Sequence, residues 1–300
     1  MAFTAQDVKT LREMTGVGMM DCKKALSECD GDMDKAVEYL REKGLAKAAK
    51  KAGRIAAEGM AYASVCPECG VGAVVEVNCE TDFCAKSDLF VAFVKDICKV
   101  VLKDNPADVD ALMQCKYPNS ELTVAETMPE KVMSIGENLQ IRRFARFGEN
   151  TSVAYVHAGG KIGVLVNLAV EGGIDATEVG KNVAMQIAAL NPRFWDKSQV
   201  TEDVLAEEKK VALALMDNDP KMASKPAQVK EKIVMGKMNK FYEENCLMQM
   251  EFVRGDIFQG SVEKYRSSAA ASSLLTQFAS RPAKALKRRK RTLQPRLQLR

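Results

Sequence analysis

With 300 residues, 47% of them hydrophobic, the chain is long enough to bury cores in two or three units, and no apolar run nears the ~20 residues of a membrane span. The net charge of +4 is uneven: residues 264–300 hold eleven Lys/Arg and no Asp or Glu, which leaves thirty-three basic against forty acidic residues in 1–263, a net of −7. The body is acidic, so a basic isoelectric point alone carries no nucleic-acid reading.

The start, Met1-Ala2-Phe3-Thr4-Ala5-Gln6-Asp7, shows neither the basic nor the apolar part of a signal peptide. Nine irregularly spaced cysteines fit reduced thiols in the cytosol better than a disulfide framework.

Residues 4–43 read as three short helices. Thr4 caps the first with Asp7 at N3, and Val8, Leu11 and Met14 recur at helical spacing before Thr15-Gly16-Val17-Gly18 breaks it. The second carries Met19, Cys22, Ala25 and Leu26; the third carries Met33, Ala36, Val37 and Leu40 and stops at Gly44. This predicts a helical domain over 1–45, with a helical linker rich in Ala and Lys over 46–59.

From Met60 the period changes to that of strands. Residues 60–66 and 71–79 flank Cys66-Pro67-Glu68-Cys69-Gly70, a hairpin signal, and a helix follows at about 87–103 with Phe90, Val94, Ile97 and Val101 on one face. Residues 151–157 and 161–170 repeat the pattern around Gly159-Gly160, followed by a helix at about 177–190. Two hairpin-plus-helix units predict a duplicated α+β core, with subdomains over 60–148 and 149–263. Within the second, residues 200–246 read as an antiparallel helical hairpin projecting from the core, with stripes Val204, Val211, Leu215 and Val234, Met238, Phe241.

Catalytic chemistry is poorly supported. His157 is the one histidine and lies in a strand pattern, where a structural role is commoner. Gly16-Val17-Gly18-Met19-Met20-Asp21-Cys22-Lys23 only half matches a phosphate-binding loop, lacking the glycine before the lysine and a preceding strand. Cys66-Pro67-Glu68-Cys69 resembles half of a zinc knuckle, with Cys79, Cys84 or His157 as conceivable partners, but no second paired motif exists. Two thiols at a hairpin tip, with no metal and no cofactor, is the simpler expectation. Met19 and Met20 are adjacent on a helix, so both cannot face one core. In Glu80-Thr81-Asp82-Phe83-Cys84-Ala85-Lys86 the bland reading makes Thr81 or Asp82 a helix cap and packs Phe83 inward; the alternative is an aromatic wedge at a strand–helix junction.

Two longer stretches tip this balance. Leu11-Arg12-Glu13-Met14-Thr15-Gly16-Val17-Gly18-Met19-Met20-Asp21-Cys22-Lys23-Lys24-Ala25-Leu26 and Glu76-Val77-Asn78-Cys79-Glu80-Thr81-Asp82-Phe83-Cys84-Ala85-Lys86 resemble the two signatures of the bacterial elongation factor Ts family. Ile135-Gly136-Glu137-Asn138, Ile141-Arg142-Arg143 and His157 before Lys161-Ile162-Gly163-Val164-Leu165-Val166 also resemble it, and the similarity runs from about residue 4 to about 265. Cys84 departs from the family, which usually has valine there. The resemblance implies an α+β fold with a ubiquitin-associated-like N-terminal domain, a two-subdomain core and a projecting helical hairpin. It implies a non-enzymatic, cytoplasmic guanine-nucleotide exchange factor for the translational GTPase elongation factor Tu, met in its GDP-bound and nucleotide-free states, with no membrane or specific nucleic-acid partner. It also implies that Thr81, Asp82, Phe83 and Cys84 dislodge the partner's Mg²⁺, and that Arg12, Met19, Met20 and His157 bind the partner. The rival reading, a ribosome- or RNA-binding protein using the basic tail, calls for interleaved aromatics, yet beyond Tyr265 the tail has only Phe278.

Residues 264–300 read as a disordered basic tail. A sharper reading comes from codons. When Ala279–Arg300 is back-translated with suitable synonymous bases, reading from the third base gives FEAGEGIEKKKENFAAEVAAQ, which resembles the family's closing strand and helix. First and second codon positions are largely fixed by the residues, so the agreement points to a shifted reading frame. Sequencing the gene on genomic DNA is expected to show a frame disruption near the codons for Tyr265 and Arg266; an intact frame there would refute this.

Overall fold

A computed structural model describes residues 3–169, 175, 177–219, 222 and 224–268, and the backbone of 284–287. Its mixture of helices and small sheets is α+β, and the chain divides into two compact units. The first comprises 1–148, 156–163 and 286–300, and the second 149–155 and 164–285, each to the extent described.

The first unit begins with α1 (Ala5–Thr15), α2 (Met19–Glu28) and α3 (Met33–Lys51). Thr4 and Asp7 form a reciprocal capping box on α1, the Asp7 amide donating to Thr4 Oγ1 at 3.3 Å and the Thr4 amide to Asp7 Oδ2 at 2.7 Å. Gly16 ends α1 with φ +66°, where a side chain would be strained. Val8, Leu11, Cys22, Ala25, Leu26, Ala36 and Leu40 form the common core.

Gly44 does not stop the third helix. It lies inside α3, buried, where an added Cβ would sit 3.4 Å from the Pro129 carbonyl oxygen, an ordinary packing distance, so this position packs on a neighbouring helix instead of ending its own. The predicted boundary at 45 and the separate helical linker over 46–59 are therefore corrected. The helix runs unbroken to Lys51, and a strand begins at Glu58.

Strands β1 (Glu58–Val65) and β2 (Gly72–Cys79) pair antiparallel in the register Glu58↔Cys79 to Val65↔Gly72, and β3 (Gln140–Phe147) pairs on the other side of β2. Every residue of β2 is buried, as a central strand covered on both faces should be. The first turn of α4 (Asp82–Lys86) follows directly, then α5 (Asp88–Asp104), which buries Phe90, Phe93, Val94, Ile97 and Val101 against the sheet. Two further helices, α6 (Val109–Gln114) and α7 (Val124–Ile135), lead into β3. Within the sheet Glu76 is buried; Arg143 Nε donates to its Oε2 at 2.7 Å, and Arg142 Nε lies 3.8 Å from its Oε1, an ion pair without a hydrogen bond.

In the second hairpin β4 (Thr151–His157) and β5 (Ile162–Leu168) lie side by side, with β6 (Lys284–Lys287) next to β5. Then come α8 (Thr177–Leu190), α9 (Glu202–Asp217), α10 (Ala227–Asn245) and the short α11 (Val262–Ser267). Gly180 of α8 meets Val153 so closely that an added Cβ would lie 2.5 Å from Val153 Cγ2. Gln186, fully buried, donates to the Glu251 carbonyl and accepts from the Val253 amide, both at 2.8 Å.

The end of α9 lies against the start of α10 through Asp217 and Lys230 at 3.0 Å. The face of α9 differs from the predicted stripe. Ala212 and Met216 are buried with Val234 and Met238, whereas Val211 and Leu215 are exposed. Apolar residues occupy both faces of this helix, so spacing alone selected the wrong one.

The tail boundary also moves. Lys264 lies within α11, where Tyr265 is buried, stacks on Phe252 at 4.1 Å and accepts from Asn182 Nδ2 at 2.9 Å. Lys284–Lys287 form β6, so those four residues depart from the disordered tail expected from composition. The remainder of the tail, and with it most of the stretch for which a shifted reading frame is expected, lies outside the described residues.

The register makes one test available. Gly59 has φ +142°, and an added Cβ would lie 2.2 Å from the Val77 carbonyl oxygen, whereas Gly70, φ +69°, has nothing within 4 Å. Gly59→Ala is expected to cost about 3 kcal/mol or more in urea unfolding, and Gly70→Ala only about 1 kcal/mol. Equal losses would contradict the register.

Candidate functional site

The segment of interest joins β2 to α4. Thr81 is the N-cap of α4: its backbone is extended and its hydroxyl accepts from the Cys84 amide at 3.2 Å. The same hydroxyl donates to Glu137 Oε1 at 2.5 Å, while Glu137 Oε2 accepts from the Glu80 amide at 2.8 Å and the Thr81 amide at 3.0 Å. One carboxylate thus fixes three donors of the junction. Its neighbours extend the network. The Asn138 amide donates to Glu80 Oε1 at 2.7 Å, and Asn138 Nδ2 to the Arg54 carbonyl at 2.8 Å. The Lys51 ammonium donates to the Gly136 carbonyl.

On this support the four predicted residues divide cleanly. Asp82 is half-buried and its carboxylate pairs with Lys86 at 3.0 Å, one helical turn on. Phe83 is 84% exposed, the opposite of the inward packing that its residue type favours. Cys84 points inward and is buried with Ala85. Cys79 Sγ donates to the Thr81 carbonyl at 3.2 Å. The neighbouring Cys79 thiol and burial raise the Cys84 thiol far above the ordinary range, so it stays protonated.

The N-terminal residues lie on the outer faces of α1 and α2. Arg12 is exposed, as are Met19 at 43% and Met20 at 76%. Met14 is exposed at 62%, which corrects its placement in the α1 core stripe with Val8 and Leu11. It lines a groove with Gly16, Val37, Lys131, Ser134 and the exposed Leu89 of α5. His157 is exposed at the end of β4, where its carbonyl accepts from the Gly160 and Lys161 amides at 3.1 Å. The Gly160 carbonyl in turn accepts from the Ala61 amide at 2.8 Å, tying this turn to β1.

The two thiols at the first hairpin tip are free. Cys66 Sγ donates to Glu68 Oε2 at 3.0 Å, and Cys69 is exposed. Among the described residues, neither joins a group of three metal-ligating side chains; the group that exists is Cys79, Cys84 and Glu137. Glu137 and Leu89 are the residues that sequence reasoning did not assign a role. Glu137 was visible only as part of Ile135-Gly136-Glu137-Asn138, with nothing local to pair it with residues fifty-six positions earlier.

No helix among the described residues is long and apolar enough to cross a membrane. The family model described as Elongation factor TS matches residues 80–280. The elongation factor Ts of Clostridium botulinum (strain ATCC 19397 / Type A) is 44% identical over 266 residues, covering 87% of this chain and 85% of the relative. That of strain Eklund 17B / Type B is also 44% identical, over 84% of this chain and 82% of the relative. With a match of this length and identity, the chain belongs to the elongation factor Ts family.

Proposed function

We propose that the chain acts on elongation factor Tu as a guanine-nucleotide exchange factor, with Phe83 as the side chain that enters the partner. The family implies nucleotide exchange on that GTPase, and the exposure of Phe83 on a hydrogen-bonded support is the observation that carries the finer reading.

The physics requires no bond-making residue. A factor that binds the nucleotide-free GTPase better than the loaded one must weaken the nucleotide by the same factor, because the coupling is reciprocal. Disturbing the partner's Mg²⁺ removes charge that neutralises the nucleotide phosphates. A rigid aromatic suits this insertion, since few rotamers are lost when it docks. Thr81 and Glu137 hold the segment, Asp82 contacts the partner or braces the loop through Lys86, and Cys84 anchors the segment from inside. Arg12, Met19 and Met20 form a second contact, with Met14 and Leu89 lining the groove between these regions, and His157 is a further partner-facing residue. Exchange is a binding cycle rather than a chemical reaction, so the protein is no enzyme in this reading.

Phe83→Ala is expected to lower the rate of fluorescent GDP release from elongation factor Tu by about 30-fold, the equivalent of the ~2 kcal/mol typical of a hot-spot aromatic. Its unfolding midpoint should not move, because the side chain is exposed. Release at the wild-type rate would reject the assignment. A paired Met19→Ala/Met20→Ala variant should raise the concentration of factor needed for half-maximal exchange and leave the unfolding midpoint in place.

A further inference from the structure

We propose that Cys79, Cys84 and Glu137 form a binding site for one thiophilic divalent cation of the zinc type, beneath the strand–helix junction. The three ligand atoms come from the end of β2, from α4 and from the loop between α7 and β3, and all lie within 4.8 Å of one another. Both cysteines are buried, Cys79 fully and Cys84 at 8% exposure. Tetrahedral zinc with bonds of ~2.3 Å to sulfur places two sulfurs about 3.8 Å apart, so closing the site asks for movements of about 1 Å or less.

The carboxylate is already oriented. Glu137 accepts from two amides and one hydroxyl, and an ionised carboxylate offers about four lone-pair positions, which leaves one for a cation. Binding balances as M²⁺ plus two thiols giving a metal dithiolate and two released protons. The ion's two charges are offset by the two protons released, so binding adds no net charge to the cluster. The thiols need not be ionised beforehand, because the metal displaces their protons. Two sulfurs favour a soft or borderline ion over Mg²⁺ or Ca²⁺, which take oxygen ligands. The hairpin pair Cys66 and Cys69 lacks a third ligand among the described residues and is a separate, weaker candidate.

The test uses the full chain, kept reduced with a phosphine and titrated with Co²⁺ alone, then with Zn²⁺ in competition. The expected result is a thiolate-to-cobalt charge-transfer band that saturates at one equivalent and is erased by Zn²⁺. Cys84→Val should abolish it, Glu137→Gln should weaken it at least tenfold, and Cys66→Ser/Cys69→Ser should leave it unchanged. Circular dichroism confirms that each variant is folded, and Cys84→Ala replaces Cys84→Val should the latter unfold. No band, a band that survives loss of Cys84, or one lost with Cys66 and Cys69 would overturn the site. None of these readouts depends on nucleotide exchange, so the outcome is independent of the reading of Phe83.

Discussion

The Glu137 carboxylate is the contact on which the candidate surface depends. A strand that ends and a helix that begins leave backbone amides without partners at the junction, and here two of them belong to Glu80 and Thr81. Glu137 takes both and also the Thr81 hydroxyl, which in turn caps α4. Three bonds to one charged carboxylate, each worth more than a neutral pair, fix the shape of the loop. The carboxylate is itself held, because Gly136 on one side receives Lys51 and Asn138 on the other engages Glu80 and Arg54.

A firm base explains how a phenylalanine stays in water. Burying a side chain of this size is worth about 1.5–3 kcal/mol, and a loop free to relax would fold it inward. At this junction Cys84 and Ala85 already fill the inward positions, and a helical turn cannot turn Phe83 to the same side as its neighbours. The exposed position is thus enforced by local geometry. Met14, Met19, Met20 and Leu89 are likewise exposed in the same unit.

Local signals were legible wherever local physics decides. Thr4 with Asp7 marked the start of α1, Cys66 to Gly70 marked a hairpin, and the apolar face of α5 matched its buried side chains. The failures share a cause. Gly44 reads as a helix stop until it is seen buried inside α3, packed near the Pro129 backbone. The α9 stripe was misplaced because Val211 and Leu215 on one face and Ala212 and Met216 on another are equally apolar. Helix α7 hides a proline at position 129, and its capping box at Thr123 and Glu126 was the signal that could have revealed it. Of the candidate site, the outward residues were readable by resemblance, whereas Glu137 was not, because a contact across fifty-six residues leaves no periodic trace.

The extended third helix changes what the N-terminal helices are. A short bundle on a separate linker would carry Met19 and Met20 independently of Phe83. Instead α3 belongs to two cores: Leu40 packs with Leu11, Leu26 and Met133, while Ala48, two turns later, packs on the cluster built around β2 and α5. Met133 sits on α7, whose last carbonyls lead to Gly136, where Lys51 of α3 makes its bond. The next residue is Glu137. Packed side chains and one lysine bond therefore connect α3 to the loop whose carboxylate fixes Thr81. Interiors at crystal-like density move as pieces rather than yielding locally. The exposed methionines and the phenylalanine in consequence belong to one compact unit, joined through α3 and α7.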